Sequence, residues 1–214
     1  MKKIFATLLA ASMMLIGTQA FAQFVPGAGY FFASEKAGTS DPVAHHGFYL
    51  GASYNIPIVA GLGVAPGLYV DMLAYGKSTA NGGSYANYYV SGNYREFALN
   101  IPINVNYKLN LGHNAALVAY AGPTFQVGLA STTTVTGEVN IFGIKLNDGS
   151  KFDHYNSDNG DRNRFNMSVG AGLGFEVGDI LFTVGYDRSL LNYAKSDRYT
   201  AARNMVKAGI NFAF

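Results

Sequence analysis

Between Tyr94 and Leu109 the chain divides by parity. Phe97, Leu99, Ile101, Ile103, Val105, Tyr107 and Leu109 alternate with Glu96, Ala98, Asn100, Pro102, Asn104, Asn106 and Lys108. Successive strand residues face opposite sides, so this is a strand with one wholly apolar face. Two other stretches divide in the same way. Phe165, Met167, Val169, Ala171, Leu173, Phe175 and Val177 oppose Asn166, Ser168, Gly170, Gly172, Gly174 and Glu176, and Phe48, Leu50, Ala52, Tyr54 and Ile56 oppose Tyr49, Gly51, Ser53 and Asn55. A water-soluble sandwich would carry Lys, Glu and Thr on its second face. Here that face is Gly, Ser and Asn with a few charges. Such residues suit the crowded interior of a narrow barrel and leave the apolar parity to face lipid.

Composition agrees. Charged residues make up 13% of the chain, about half the roughly 25% of a soluble domain. Lys2 and Lys3, an apolar run from Ile4 to Ile16, and Ala20-Phe21-Ala22 form a secretory signal over 1–22 with cleavage expected before Gln23, leaving one domain over 23–214. The 13-residue run is too short to span a bilayer, which takes about 20. No Cys follows it to accept a lipid. Without the two lysines the basic residues fall from 15 to 13, equal to the 13 acids, so no basic face for nucleic acid is expected.

Strands are expected at about 24–34, 46–58, 62–76, 93–109, 115–130, 163–178, 180–193 and 203–214. Eight is an even number, as a single-chain bacterial barrel needs, and the expected fold is all-β: an eight-stranded antiparallel up-and-down transmembrane barrel. Val59-Ala60-Gly61, the segment Asn110 to Asn114, and Gly178-Asp179 are short connections; 35–45, 77–92, 131–162 and 194–202 are long and polar. Short periplasmic turns and long outer loops produce this rhythm. A two-residue turn at Gly178-Asp179 sets Val177 against Ile180, Phe175 against Phe182 and Leu173 against Val184. A three-residue loop at Val59-Ala60-Gly61 sets Ile58 against Leu62, Ile56 against Val64 and Leu50 against Val70. Asn55-Ile56-Pro57-Ile58 recurs as Asn100-Ile101-Pro102-Ile103, each expected to enter a periplasmic turn. Pro102 cannot donate to a ladder, so a bulge or an ended neighbour is expected there.

These stretches, with Tyr120-Ala121-Gly122-Pro123, Gly170-Ala171-Gly172-Leu173-Gly174-Phe175, Val184-Gly185-Tyr186-Asp187 and the terminal Phe214, resemble the small outer-membrane β-barrel domain family that includes the PorT-like proteins. The likeness spans the mature chain, and compact barrels of the OmpA and OmpX kind are the architectural analogy. It implies a bacterial outer-membrane location. Phe214 is similar to the C-terminal signal read by barrel-insertion machinery, which the resemblance makes a biogenesis partner. An accessory role in protein secretion is implied by the PorT-like resemblance alone.

An eight-stranded barrel is wide enough only for its own inward side chains. Asp71, Glu96, Asn104, Lys108, Glu176, Asp187 and Lys207 are the expected polar lumen network, with Tyr69, Asn100, Tyr120, Gln126, Asn166, Thr183 and Asn211 beside them. Parity places Asp187 near Lys207, and Asp71 near Glu96. Two adjacent carboxylates can share a proton as a catalytic pair, or be neutralised by Lys207 or an Arg, and the second is preferred. His45 and His46 point to opposite faces and make a poor chelate; no metal or other cofactor is expected. His154 with Ser157 and Asp153 is the one compact grouping fit for nucleophilic catalysis, and no rigid element fixes it, so no enzymatic activity is expected. Tyr30, Phe32, Phe48, Tyr75, Tyr94, Tyr107, Tyr186, Tyr193 and Phe212 are expected at lipid headgroup level. The expected function is non-enzymatic: a monomeric, non-porin barrel whose structural or surface-interaction role lies in its outer loops. Loop 131–162, with Val139, Ile141, Phe142, Ile144 and Leu146 in near alternation, is expected to rise as a hairpin offering an edge to an extracellular protein or ligand. A narrow conduit for small or apolar molecules is the alternative, with Gly63, Ala65, Gly67, Gly170, Gly172, Gly174 and Gly185 leaving space.

Overall fold

The structure is a computed structural model and describes residues 23–82, 86–141, 144–196 and 199–213. The expected leader over 1–22 and the terminal Phe214 lie outside the described residues. Nine strands follow in order: β1 (Gln23–Ala37), β2 (Val43–Val59), β3 (Leu62–Gly82), β4 (Ala86–Gly112), β5 (Ala115–Ile141), β6 (Ile144–Asp153), β7 (Phe165–Val177), β8 (Ile180–Ser189) and β9 (Ala201–Phe212). Each pairs antiparallel with its neighbours, β9 closes on β1, and β4 and β5 also pair. Eight strands therefore form a ring, and β6 stands outside it, paired to the outer part of β5.

The parities fall as the alternation requires. Leu50 is 64% exposed and Leu173 68%, while Ala33 and Glu96, on the other face, are 0% and 2% exposed. An apolar exterior around a polar, filled interior is stable only where lipid is the outer solvent. With short turns at one end and long hairpins at the other, the architecture is that of a bacterial outer-membrane barrel.

Register was the most legible feature. Val177 faces Ile180, Phe175 faces Phe182 and Leu173 faces Val184, about a turn whose Gly178 has φ 59, as the first central position of a type II′ hairpin requires. Ile56 faces Val64 and Leu50 faces Val70 as expected, but Val59, not Ile58, meets Leu62. The loop has two residues rather than three. Ala60 and Gly61 both have positive φ, the demand of a type I′ turn, and the register shift at Pro57/Val59 absorbs Ile58.

The bulge expected at Pro102 is absent. The β3–β4 ladder resumes in register from Ile103 opposite Pro66 to Asn100 opposite Tyr69, so the missing N–H interrupts pairing without adding a residue. Nor does Asn100-Ile101-Pro102-Ile103 enter a turn; it lies within β4, and the prolines share a sequence context but not a position. The stretch 77–92, expected as a loop, continues β3 and β4 instead, and the hairpin expected from 131–162 forms between β5 and β6. Thr79 pairs Val90, Gly92 pairs Val135 and Val135 pairs Ser150, so β3, β4, β5 and β6 continue above the ring as a four-stranded sheet. Residues rich in Tyr, Thr and Val keep their strand preference beyond the membrane.

Candidate functional site

From the loop end inward the lumen is layered, and β1 and β9 show the order in successive pairs: Glu35 opposite Arg203, Ala33 opposite Met205, Phe31 opposite Lys207, and Gly27 opposite Asn211.

The outermost layer is ionic. Arg203, 1% exposed, donates from Nε and Nη2 to Glu35 Oε2 at 3.0 and 2.8 Å. It also donates from Nη1 and Nη2 to Glu96 Oε1 and Oε2 at 3.0 and 2.8 Å. Arg162, from the segment after β6, bonds Glu35 and donates to Glu96 Oε2 at 3.2 Å. Two guanidinium groups thus meet two carboxylates, which is what permits four charges to be buried. Burial acts to lower the pKa of Arg162, and the charge of Glu35 overcomes it, so the guanidinium is held above its usual value. Tyr94 donates to Glu96, and Ser131 Oγ donates to the Tyr94 hydroxyl at 3.0 Å. The Arg203 guanidinium lies 4.4 Å from the centre of the Tyr193 ring and Arg162 5.2 Å from that of Tyr94. Burial first of all raises the Tyr193 phenol to about 12, and it donates to Gln126 at 2.6 Å.

Beneath the ions is a dry layer: Phe31, Ala33, Leu73 and Met205 form one buried cluster, which Tyr94 joins from the ion layer above. Phe31 lies across Gly47, where a Cβ would strike its ring. Below it is a polar chamber of about 160 Å³ lined by Asp71, Asn100, Asn104, Tyr120, Asp187 and Lys207 among others. Lys207 pairs with Asp187 at 2.6 Å. Nearer the turns, Lys108 pairs with Glu176 at 2.6 Å, and Asn106 donates to Asn55 at 2.8 Å.

Every described member of the expected network therefore points inward, and the Asp187–Lys207 pair forms. The Asp71–Glu96 pair does not. Asp71 is opposite Ala98, and Glu96 is opposite Leu73, so the dry layer separates the carboxylates: Glu96 joins the arginines and Asp71 joins the chamber of Lys207. The glycines expected to leave space are mostly seats. A Cβ at Gly172 or Gly185 would meet Tyr120, one at Gly170 would meet Asp187, and one at Gly67 would meet Tyr69.

The aromatic expectation divides. Tyr30, Phe32, Phe48, Tyr107, Tyr186 and Phe212 face outward, whereas Tyr94 and Tyr193 are buried and Tyr75 packs against the dry cluster. Tyr94 shares parity with Glu96, and Tyr193 lies beyond the end of β8, so proximity to a strand end did not decide their direction. His45 and His46 do separate, with His45 6% exposed inside and His46 outside against Tyr30 and Phe32. His154 bonds neither Ser157 nor Asp153. Its Nδ1 bonds Asp161 at 2.7 Å and its Nε2 bonds Thr133 at 2.6 Å, tying the base of the β5–β6 hairpin to the segment carrying Arg162. Among the described residues no group of three or more His, Cys, Asp or Glu could hold a metal.

Glu35, Arg162 and Arg203 were not singled out from the sequence. Arg203 shares the parity of Lys207 and Asn211, a signal that was present; Arg162 lies outside any strand and gave none. Above the ion cluster, the mouth opens as a second cavity of about 390 Å³.

No family model matches the chain, and no curated protein matches it. Among solved structures the fold is similar to Ail, the attachment invasion locus protein of Yersinia pestis, at 14% identity, with 90% of this chain and 99% of that one covered and a TM-score of 0.42. It is also similar to Neisserial surface protein A at 13% identity, 90% and 99% coverage and a TM-score of 0.44. The outer-membrane enzyme PagL matches at 11% identity, 87% and 99% coverage and a TM-score of 0.38. At these values no residue's role passes from one chain to another.

Proposed function

Because the chain is an eight-stranded barrel of the bacterial outer membrane, we propose that it is a non-enzymatic surface protein whose lumen is shut and whose working end is extracellular. The observation that carries this is the double closure of the lumen: a balanced cluster of Glu35, Glu96, Arg162 and Arg203 lying directly on the dry layer of Phe31, Leu73 and Met205. What remains available for function is the sheet above it. There β6 pairs with β5 alone among the described residues, so its other edge is open to an extended segment of a partner protein.

The test has three arms. The refolded mature barrel in a planar bilayer is expected to be electrically silent, and stable conductance steps would transfer the function to the conduit that the 160 Å³ chamber favours. On cells, replacing 136–149 by Asn-Gly is expected to abolish capture of a surface partner; equal capture by intact and shortened barrels would remove the hairpin from the function. Release of p-nitrophenol from p-nitrophenyl butyrate is expected to stay at the buffer rate, and hydrolysis lost in His154→Ala would overturn the non-enzymatic assignment. The PorT-like resemblance supports an accessory role in secretion, for which a secretion defect on deleting the chain is the measurement.

A further inference from the structure

We infer that the outer wall of β8, β9, β1 and β2 holds a membrane lipid with an anionic phosphate headgroup, its chain in a lateral groove and its phosphate between Arg188 and Lys36. The site is independent of the surface hairpin and needs only the barrel's place in the bilayer.

The groove comes from a local shortage of side chains. On β1 and β9 the lipid-facing parity carries Ala28 and Ala208, and between them Gly29 pairs Gly209, so backbone and methyl groups make the floor. Phe48 of β2 rises on one side and Phe182 of β8 on the other, both exposed, and the groove between them is about 870 Å³. An unfilled apolar furrow forfeits dispersion contacts along its whole lining, and a hydrocarbon chain restores them.

Charge identifies the headgroup. From the turns up to the level of the ion cluster, the charged residues on the outward parity of the ring are Lys36, Arg95 and Arg188, with no acid among them. Each adjoins the ion layer in the chain. Lys36 follows Glu35, Arg95 precedes Glu96, and Arg188 precedes Ser189, whose Oγ accepts from the Arg203 backbone N–H at 2.8 Å. All three are exposed, and none forms an ion pair with a described residue. They share one level at the loop end, where headgroups meet the barrel.

Arg188 and Lys36 stand over the groove. Arg188 is opposite Asn204, and Asn204 is opposite Ser34, the outward neighbour of Lys36 on β1. Adjacent strands are about 4.8 Å apart, so two long side chains separated by two strands reach one phosphate. Asn204 accepts from the Tyr186 hydroxyl through Oδ1 at 3.0 Å, which leaves its amide nitrogen to donate. Arg95, on β4, is three strands from β1 and has no part in the groove. A zwitterionic headgroup would bring its own cation against Arg188 and Lys36. A second copy of the chain would bring the same cations, and no acid from its own ring wall to meet them.

The refolded mature barrel in detergent micelles is to be titrated with dimyristoyl phosphatidic acid, dimyristoyl phosphatidylcholine and glycerol 3-phosphate, with bound molecules counted by native mass spectrometry. Saturable retention of phosphatidic acid is expected, with phosphatidylcholine roughly tenfold weaker and glycerol 3-phosphate not retained. Lys36→Gln or Arg188→Gln is expected to weaken retention about fivefold and the pair about thirtyfold. Ala208→Phe, which fills the groove from the lipid side, is expected to weaken it comparably, and Arg95→Gln to leave it unchanged. Heat-dependent electrophoretic migration verifies that each variant is folded, and because the substituted side chains face outward, loss of one variant leaves the others as tests. Equal retention of the two lipids, equal retention of glycerol 3-phosphate, or a loss in Arg95→Gln as large as in Arg188→Gln overturns the inference. Protein dimers that persist in excess phosphatidic acid would give the groove to a second copy and overturn it too.

Discussion

Arg203 ties together carboxylates from β1 and β4 inside the barrel. It donates four hydrogen bonds to two buried carboxylates, and removing one partner from a buried ion cluster costs about 3–5 kcal/mol because the others stay buried without it. Arg203→Met is expected to destabilise the barrel by that amount in urea-induced unfolding from lipid vesicles. Lys108→Met, at a pair whose lysine is 32% exposed, is expected to change stability by less than about 1 kcal/mol. Gly172→Val would drive a branched side chain into the Tyr120 ring and the Val184 carbonyl. It is expected to lower the urea midpoint, whereas Gly112→Ala, where the added Cβ meets nothing but φ is 86, tests backbone strain alone. Parity was enough to place Glu96, Asp187 and Lys207 inside. It could not say that Glu96 belongs with an arginine 107 positions away rather than with Asp71, because that pairing crosses the lumen instead of the sheet.

At the level of elements, hairpins were readable, the outward one of β5 and β6 included, and the outward extent of β3 and β4 was not. Turn chemistry is local, so Gly178 and the Ala60-Gly61 pair set register from a few residues. The extension of β3 and β4 beyond the ring depends on Tyr-, Thr- and Val-containing segments finding one another, and polarity alone made 77–92 look like a loop, whereas apolar near-alternation marked the β5–β6 hairpin. Since β6 is paired only to β5 among the described residues, replacing 136–149 by Asn-Gly is expected to leave the ring intact. Heat-dependent electrophoretic migration of the folded form checks this; failure to fold would show that the sheet above the ring is part of the folding unit.

For the whole molecule the decisive quantity is which solvent the outer face meets. Leu173, 68% exposed, stands partway up the lipid-facing wall of β7. Leu173→Arg is expected to cost about 2–4 kcal/mol near the bilayer midplane, and Leu109→Arg, close to the turn end, about 0–1. Equal and small costs at both positions in vesicle refolding would contradict a membrane-spanning belt. With the long hairpins outside the cell, protease added to intact cells is expected to cleave within 136–149 and to spare the Gly178-Asp179 turn.

The sequence by itself determined the facing of nearly every strand residue, the inner registers of two hairpins and an even, closed count, because a period of two and the demands of tight turns act over a few residues. Tertiary structure decided what those faces do to one another. Closing β9 on β1 brought Glu35, Glu96, Arg162 and Arg203 together, set Phe31 across Gly47 as a dry layer, and assembled the mouth cavity from separate segments. Contacts across a lumen are fixed by closure and strand tilt, which no local pattern encodes.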